Sequence, residues 1–294
     1  MMLNATSVGE LVRSLADKGA KGKVTRIFRN SAYLESRGNL ILLLRGGLRS
    51  PMTVNLAASP DFVQRLSTRQ AFELRHDSLD LEEMNIRLGD APTFNSSLME
   101  GQRTDPIAEG DVARAATALK LLYSASQPSL DLVKGKAFGD FVSAVLRPFA
   151  HGKLDQVYLL RNYLGLIGNG TGFTPAGDDL VAGFAASFNH YARGTSRAPI
   201  SLSLAELRKR TVKESASLLD YAQRGFVDEG LERLILSGLG NKPLQFRAQL
   251  SELASRGHTS GLDMSLGVLL LVAVLGDCIN HGTALESLLR AIGN

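Results

Sequence analysis

Cysteine and tryptophan are nearly missing from this chain, and it contains no long apolar segment. Cys278 is the single cysteine, and tryptophan is absent from the 294 residues. One thiol excludes an internal disulfide, and its apolar helical surroundings favour a buried, unreactive side chain. The longest apolar run, Met264 to Gly276, is too short to cross a bilayer and predicts a buried core helix.

Charge is not concentrated anywhere along the chain. The formal net charge is +4, and the lysines and arginines are scattered, so the basic footprint of a nucleic-acid-binding protein is missing. The N-terminus has no apolar segment followed by a small-residue cleavage site. We therefore expect a cytoplasmic protein with neither a nucleic acid nor a membrane as partner.

The remaining composition is that of a globular protein. Hydrophobic residues make up 44% of the chain and aromatic residues 6%, so a sizeable and largely aliphatic core is expected. A chain of 294 residues exceeds the usual size of a single core. One large domain or two smaller domains are therefore expected.

Short apolar or alternating segments separated by turn residues occupy the N-terminal part. They predict strands at 24–28, 32–35, 40–44, 52–56, 72–75 and 84–88. Residues 3–16 have apolar side chains at helical spacing, with Ser7 as a candidate N-cap. Residues 1–100 therefore predict a small β-rich domain with an N-terminal helix.

The remainder of the chain has helical spacing. A polar stretch at 93–105, flanked by Pro92 and Pro106, predicts a linker. Residues 106–294 predict a larger all-helical domain, so the fold class is α+β and not a doubly wound parallel sheet. The predicted helices are 109–123, 138–149, 154–166, 179–193, 204–224, 228–239, 244–255, 262–279 and 284–292.

Two stretches in the helical domain repeat each other. Residues 172–183 read GFTPAGDDLVAG, and residues 257–267 read GHTSGLDMSLG. Both combine Gly-x-Thr with Gly-x-Asp-x-x-x-Gly, and both open an apolar helical run. If the two glycine-rich loops face each other, they form a polar pocket for a small anion.

The first loop is rich in glycine just before a helix begins. Glycines let the main chain approach a ligand closely, and a helix start favours an anion. The loop lacks the nicotinamide fingerprint and the Gly-Lys-Ser/Thr of a phosphate loop, so no nucleotide or nicotinamide cofactor is predicted. The candidate substrate-binding residues are Gly170, Thr171, Gly172, Thr174, Gly177, Thr259, Ser260 and Gly261.

The aspartates of the two loops suggest a metal. Carboxylates repel phosphate, so a divalent cation would have to mediate, and Mg²⁺ takes one or two carboxylates with waters. Asp178, Asp179 and Asp263 are therefore candidate metal ligands. These aspartates and His258, which lies in the second loop, are the candidate catalytic residues.

A purely structural interpretation competes with this hypothesis. The aspartates could be helix caps, and Gly183 and Gly267 could serve only a close helix contact. Lys213 and Ser215 lie on a helix between the two repeats and could reach the pocket, but a solvated helical face is the favoured explanation for them.

Both loops resemble the signatures of a family long labelled as of unknown function. Residues 166–179, LIGNGTGFTPAGDD, resemble its Gly-Leu-Thr-Pro-Ser-Gly-Asp-Asp signature. Residues 257–263, GHTSGLD, resemble its second signature, Gly-His-Ser-Ser-Gly-x-Asp. The chain departs from these patterns at Phe173, Ala176 and Thr259.

The resemblance implies a function, because the family includes the H subunit of the oxamate carbamoyltransferase of anaerobic allantoin breakdown. It implies phosphorolysis of oxalurate to oxamate and carbamoyl phosphate by a system of several subunits. On this hypothesis, Thr174 and Thr259 help to hold a phosphate or carboxylate, and His258 is a proton donor or oxyanion partner. A non-catalytic metabolite-binding or regulatory subunit, and a stand-alone enzyme acting on a small carboxylate, remain alternatives.

Overall fold

Two compact units make up the part of the chain that the structure describes. The computed structural model describes residues 1–57, 60–96, 98, 106, 108–124, 126–256 and 259–293. The first unit comprises Met1–Ser96 together with Val227–Glu229, and the second comprises Ser97–Phe226 and Gly230–Asn294. The predicted α+β fold class is confirmed, since the first unit is built of strands and the second of helices.

A closed barrel of eight strands forms the first unit. Around the barrel the order is β1-β8-β7-β6-β2-β3-β4-β5, and β5 pairs back to β1. Most neighbours are antiparallel, but β1 and β8 run parallel, as do β4 and β5, and the short β9 pairs in parallel with the end of β1. The strands are β1 (Met2–Gly9), β2 (Ala20–Ile27), β3 (Ser31–Ser36), β4 (Asn39–Arg45), β5 (Thr53–Leu56), β6 (Ala71–Arg75), β7 (Ser78–Leu81), β8 (Met84–Arg87) and β9 (Thr93–Phe94).

Alternation of buried and more exposed side chains builds the barrel core. Every second side chain of β3 is buried, including Ala32 and Leu34, and Phe72 and Leu74 follow the same pattern on β6. Together with α1 (Glu10–Asp17), the inward-facing residues form one hydrophobic cluster. All six strands predicted from the sequence occur, because a period of two marks a face that packs on a core.

The predicted helix over residues 3–16 is wrong in its first half. Residues 2–9 form β1, and α1 begins only at Glu10. β1 pairs with β5 on one side and with β8 and β9 on the other. Pairing with strands that are distant in sequence therefore overrides the helical spacing of the apolar residues.

The barrel unit also uses residues from far along the chain. Glu229 accepts a hydrogen bond of 2.7 Å from Nε of Arg49, and a second guanidinium nitrogen bonds its other oxygen. The amide of Glu229 donates to the carbonyl of Arg49 at 2.9 Å. The guanidinium of Arg49 also lies over the ring of Phe94.

Helices form the second unit. They are α2 (Glu109–Ser124), α3 (Gln127–Lys134), α4 (Lys136–Phe141), α5 (Arg147–Ala150), α6 (Gln156–Leu166), α7 (Ala176–Arg193), α8 (Leu204–Leu207), α9 (Lys213–Arg224), α10 (Glu229–Leu239), α11 (Pro243–Ala254), α12 (Ser260–Asn280) and α13 (Ala284–Ile292). A π-helical segment, Val142–Leu146, joins α4 to α5.

The helices α7 and α12 form the centre of this unit and cross at two glycines. A Cβ added to Gly183 would lie 2.1 Å from the carbonyl oxygen of Met264. A Cβ added to Gly267 would lie 2.1 Å from the carbonyl oxygen of Leu180. The two backbones therefore touch at a crossing that only glycine permits.

The buried core helix predicted from the apolar run is confirmed as α12. This helix is long and apolar enough to cross a membrane by length and composition alone. However, 83% of its most apolar window is buried inside the structure, which is typical of a core helix in a soluble protein.

The predicted helix over 204–224 is interrupted. α8 ends at Leu207 and α9 begins at Lys213. In the intervening turn the hydroxyl of Thr211 donates a hydrogen bond to the carboxylate of Asp178. The predicted linker at 93–105 contains β9, and its residues 97 and 99–105 lie outside the described residues.

Candidate functional site

The two predicted loops lead into the two central helices at equivalent positions. α7 begins at Ala176 after Pro175, and α12 begins at Ser260 after Thr259. Asp179 and Asp263 are therefore both the fourth residue of their helices. Neither Pro175 nor Thr259 caps its helix through a side-chain hydrogen bond.

Asp179 and Asp263 lie close together and away from solvent. Asp179 is 3% exposed and Asp263 is fully buried. Burial raises the pKa of Asp179 to about 8, and the charges of Asp263 and Asp178 add to the rise. We call Asp179 and Asp263 the aspartate pair.

Two hydroxyls join the loops beside the aspartate pair. Thr174 Oγ1 of the first loop lies 2.9 Å from Ser260 Oγ at the start of α12. Both hydroxyls also lie near the carboxyl group of Asp179, and their polar influence opposes the rise of its pKa. Oδ2 of Asp179 is nevertheless buried with no hydrogen-bond partner among the described residues. We call Thr174 and Ser260 the hydroxyl pair.

Asp178 has a different set of partners from its neighbour. Its Oδ1 accepts the amide of Gly168 at 2.6 Å, and its Oδ2 accepts the hydroxyls of Ser215, at 2.6 Å, and of Thr211. Burial raises the pKa of Asp178, and these three hydrogen bonds oppose the rise. Its carboxylate therefore ties the first loop to the start of α9.

Tyr163 of α6 lies near Asp178. Its ring is fully buried, and its hydroxyl has no hydrogen-bond partner among the described residues. Burial raises the pKa of this hydroxyl, with a smaller contribution from the charge of Asp178. Sequence reasoning misses Tyr163 and Thr211, because no local motif surrounds either residue.

The first loop, residues 168–172, is the glycine loop. Gly168, Gly170 and Gly172 have φ values of +83°, +111° and +106°, whereas Asn169 and Thr171 between them do not have positive φ. Alternation of this kind turns successive amides toward one side, as in anion-binding nests. Within the described residues, the amides of 170–172 donate no hydrogen bond.

The glycine loop is held against the first turn of α7 and opens on a cleft. The amide of Gly177 donates to the carbonyl of Asn169 at 2.8 Å, and a Cβ on Gly177 would lie 2.2 Å from the carbonyl oxygen of Leu166. The cleft has a volume of about 600 Å³. Its described lining includes Asn169, Gly170 and Thr171 from the loop and Asp131, Lys136 and Asp140 from α3 and α4.

The second loop is described only in part. Gly257 and His258 lie outside the described residues. A Cβ on Gly261 would lie 1.9 Å from the carbonyl oxygen of Leu253, so this glycine serves a close contact with α11. Thr259 accepts the amide of Asp263 with its carbonyl, at 3.0 Å.

The acidic residues present a limited ligand set for a metal. No group of three or more His, Cys, Asp or Glu side chains suited to a metal occurs in the described part of the chain, which excludes His258. The aspartate pair supplies two carboxylates, whereas both oxygens of Asp178 already accept hydrogen bonds. Ser215, on the helix between the two repeats, is a buried partner of Asp178, and Lys213 is exposed.

Comparison with known proteins finds one similar family. Residues 166–272, a little over a third of the chain, match the family model of the oxamate carbamoyltransferase subunit AllH. Over this segment, the chain is similar to the AllH family. No curated protein and no solved structure shows a significant match to the chain.

The AllH segment encloses both loops. It begins at Leu166, the last residue of α6, and ends at Val272 within α12. The glycine loop, the hydroxyl pair and the aspartate pair therefore all belong to the part of the chain that carries the family resemblance. The barrel unit, apart from Val227–Glu229, lies outside the matched AllH segment.

Proposed function

We propose that this chain is a subunit of an oxamate carbamoyltransferase-type system and binds its small anionic substrate. The reaction would be phosphorolysis of oxalurate to oxamate and carbamoyl phosphate, in a cytoplasmic complex with other subunits. The observation that carries the proposal is the contact between the two loops of the AllH segment. Thr174 and Ser260 meet at 2.9 Å beside two buried aspartates.

The glycine loop would hold the phosphate or carboxylate of the substrate. The amides of the exposed residues Gly170, Thr171 and Gly172 donate no hydrogen bond within the described part of the chain. Gly170 and Thr171 also border the cleft. The N-terminal end of α7 adds a favourable field for an anion. The hydroxyls of Thr174 and Thr259 would complete the binding set.

Asp178 and Gly177 would act by shaping the loop. The carboxylate of Asp178 accepts a hydrogen bond from the amide of Gly168. Position 177 must be glycine, because a Cβ there would collide with the carbonyl oxygen of Leu166. His258 remains the candidate proton donor or oxyanion partner, as proposed from the sequence.

A divalent cation such as Mg²⁺ would bind at the aspartate pair. Two buried carboxylates and two neighbouring hydroxyls are the oxygen ligands that Mg²⁺ accepts, with waters completing its shell. Oδ2 of Asp179, which has no hydrogen-bond partner among the described residues, fits this role. Asp178 fits it poorly, because three donors already occupy its oxygens.

Calorimetric titration of the full chain tests the binding site. We expect phosphate and carbamoyl phosphate to bind the wild-type chain, and Gly172→Ala to weaken binding about tenfold or more, equivalent to about 1.4 kcal/mol. Gly152→Ala is the matched control, since both glycines have positive φ with nothing within 4 Å of an added Cβ. Equal affinity of both variants for phosphate would contradict the assignment of the glycine loop.

Activity measurements separate the functional alternatives. A tagged chain should co-purify with partner subunits, and the purified complex should convert oxalurate and phosphate. Activity of the isolated chain on a small carboxylate would instead favour a stand-alone enzyme. Full activity of a complex containing the Gly172→Ala variant would favour a non-catalytic role.

A further inference from the structure

A basic turn lies directly beside the glycine loop. The even spread of charge expected from the sequence is broken at residues 208–213, which read RKRTVK and lead from α8 into the start of α9. All four cations of this segment are exposed, namely Arg208, Lys209, Arg210 and Lys213. Two carboxylates flank them, at Glu206 and Glu214, so residues 206–214 carry a formal net charge of +2. We call residues 208–213 the basic turn.

Contacts with the glycine loop fix the position of the basic turn. A Cβ on Gly168 would lie 2.2 Å from the carbonyl oxygen of Arg210, so the two backbones touch. The guanidinium of Arg210 donates to the carbonyl of Leu164, near the end of α6, at 3.3 Å. Asp178 ties the two segments together, because it accepts the amide of Gly168 and the hydroxyl of Thr211. The charge of Arg210 is therefore held within the length of one side chain from the glycine loop.

The cleft wall that borders the glycine loop has the opposite charge. Its charged side chains are those of Asp131, Lys136 and Asp140. Nζ of Lys136 lies 2.5 Å from the carboxylate of Asp140, and the three side chains together have a formal charge of −1. The attraction of an anion to the glycine loop must therefore come from the basic turn and not from this wall.

A phosphate on the glycine loop needs a nearby source of positive charge. Backbone amides and the start of α7 offer only partial charges. The carboxylate of Asp178, which bonds the loop at Gly168, repels an approaching anion. The Debye length at physiological ionic strength is about 8 Å, so the charge of Arg210 is not screened from an anion on the loop.

We propose that the basic turn attracts inorganic phosphate and its carbamoyl ester to the glycine loop, with Arg210 as the main contributor. This inference rests on the proposed function and assigns the phosphate, a dianion, to the side of the loop that adjoins Gly168. The attraction acts through charge, so it weakens with added salt and does not require the guanidinium group itself.

Calorimetric titration of the full chain with phosphate at about pH 8 tests the attraction. Arg210→Gln removes one charge and should weaken phosphate binding about fourfold in about 10 mM salt. This factor is the Coulomb interaction of a unit charge with a dianion at about 8 Å in water, with slight screening. In about 1 M salt, where the Debye length is about 3 Å, the difference between variant and wild type should disappear.

Two control variants separate charge from shape and position. Arg210→Lys keeps the charge and should bind phosphate within about twofold of the wild type. Arg290→Gln removes another exposed arginine on α13, the helix that follows the C-terminal end of α12. Like Arg210, Arg290 donates to a backbone carbonyl at 3.3 Å, in its case that of Glu286. This variant should bind phosphate as tightly as the wild type at both salt concentrations.

The outcomes of these titrations decide the inference separately from the proposed function. Equal phosphate affinity of Arg210→Gln and wild type in low salt would refute the attraction. A loss that persists undiminished in high salt, or an equal loss in Arg210→Lys, would also overturn it, because either result would indicate altered loop geometry instead of a lost charge. A wild-type chain that does not bind phosphate would contradict the proposed function itself, and the attraction would fall with it.

Discussion

Replacing Asp179 with asparagine should stabilise the protein, and the gain should grow with pH. In the folded chain the pKa of Asp179 is raised from 3.8 to about 8. Between these values the folded protein keeps a proton that the unfolded chain has released. The free energy of unfolding of the wild type therefore falls by about 1.4 kcal/mol for each pH unit in this range, and by about 6 kcal/mol in total.

Asparagine has nearly the shape of a neutral aspartic acid but does not titrate. Its carbonyl can accept hydrogen bonds from the hydroxyl pair, and its amide can donate to Asp263. We expect the stability of Asp179→Asn and wild type to differ little near pH 4. The variant should be more stable by about 4 kcal/mol near pH 7 and by about 6 kcal/mol near pH 9.

Urea unfolding followed by circular dichroism at several pH values measures this difference. Titrating groups distant from Asp179 affect both proteins alike, so the difference between the two curves reports the titration of Asp179 together with its coupling to Asp263 and Asp178. Asp155→Asn, at the exposed N-cap of α6, is the matched control, because asparagine caps a helix as well as aspartate does. A stability difference that stays constant between pH 4 and pH 9 would refute the argument that burial beside Asp263 raises this pKa.

Three further substitutions test other contacts of the helical unit. Asp178→Asn should lower the free energy of unfolding by about 1–3 kcal/mol and weaken phosphate binding, because an amide group cannot accept hydrogen bonds from all three donors. An unchanged midpoint of urea unfolding together with an unchanged affinity for phosphate would contradict this prediction. Gly267→Ala should lower the free energy of unfolding, measured by thermal unfolding, by about 3 kcal/mol. Gly165→Ala in α6 is its control and should stabilise the chain slightly, because an added Cβ there would have open space around it. Asp277→Ala should lower the free energy of unfolding by about 2 kcal/mol, because the carboxylate of Asp277 accepts hydrogen bonds from the first two amides of α13 at 2.6 and 2.9 Å. Unaltered hydrogen exchange in α13 would count against this prediction.

Local signals in the sequence place the helix starts of the site within three residues. Glycines before an apolar run with helical spacing predict helices from 179 and 262, and α7 begins at Ala176 and α12 at Ser260. The long apolar run marks α12 as buried. The same kind of signal fails at residues 3–16. There, strand pairing with distant parts of the chain decides the structure.

The similarity of the two loops suggests that they meet, but it does not determine which atoms touch. Thr174 and Ser260 are separated by 86 positions, and no local pattern encodes their contact. Nor does the sequence distinguish Asp178 from Asp179. Successive residues point about 100° apart around a helix, so one carboxylate contacts α9 and the other contacts α12.

The ion pair between Arg49 and Glu229 has a consequence for how the barrel is made. Val227–Glu229 belongs to the barrel unit although it lies far beyond Ser96 in the chain. During synthesis, the ribosome must therefore translate most of the helical unit before the last barrel residues emerge. A gene fragment that stops at Ser96 would encode all nine strands, β1 to β9, but would lack the ion pair between Arg49 and Glu229. A recombinant barrel should therefore include residues 227–229, joined to it by a linker.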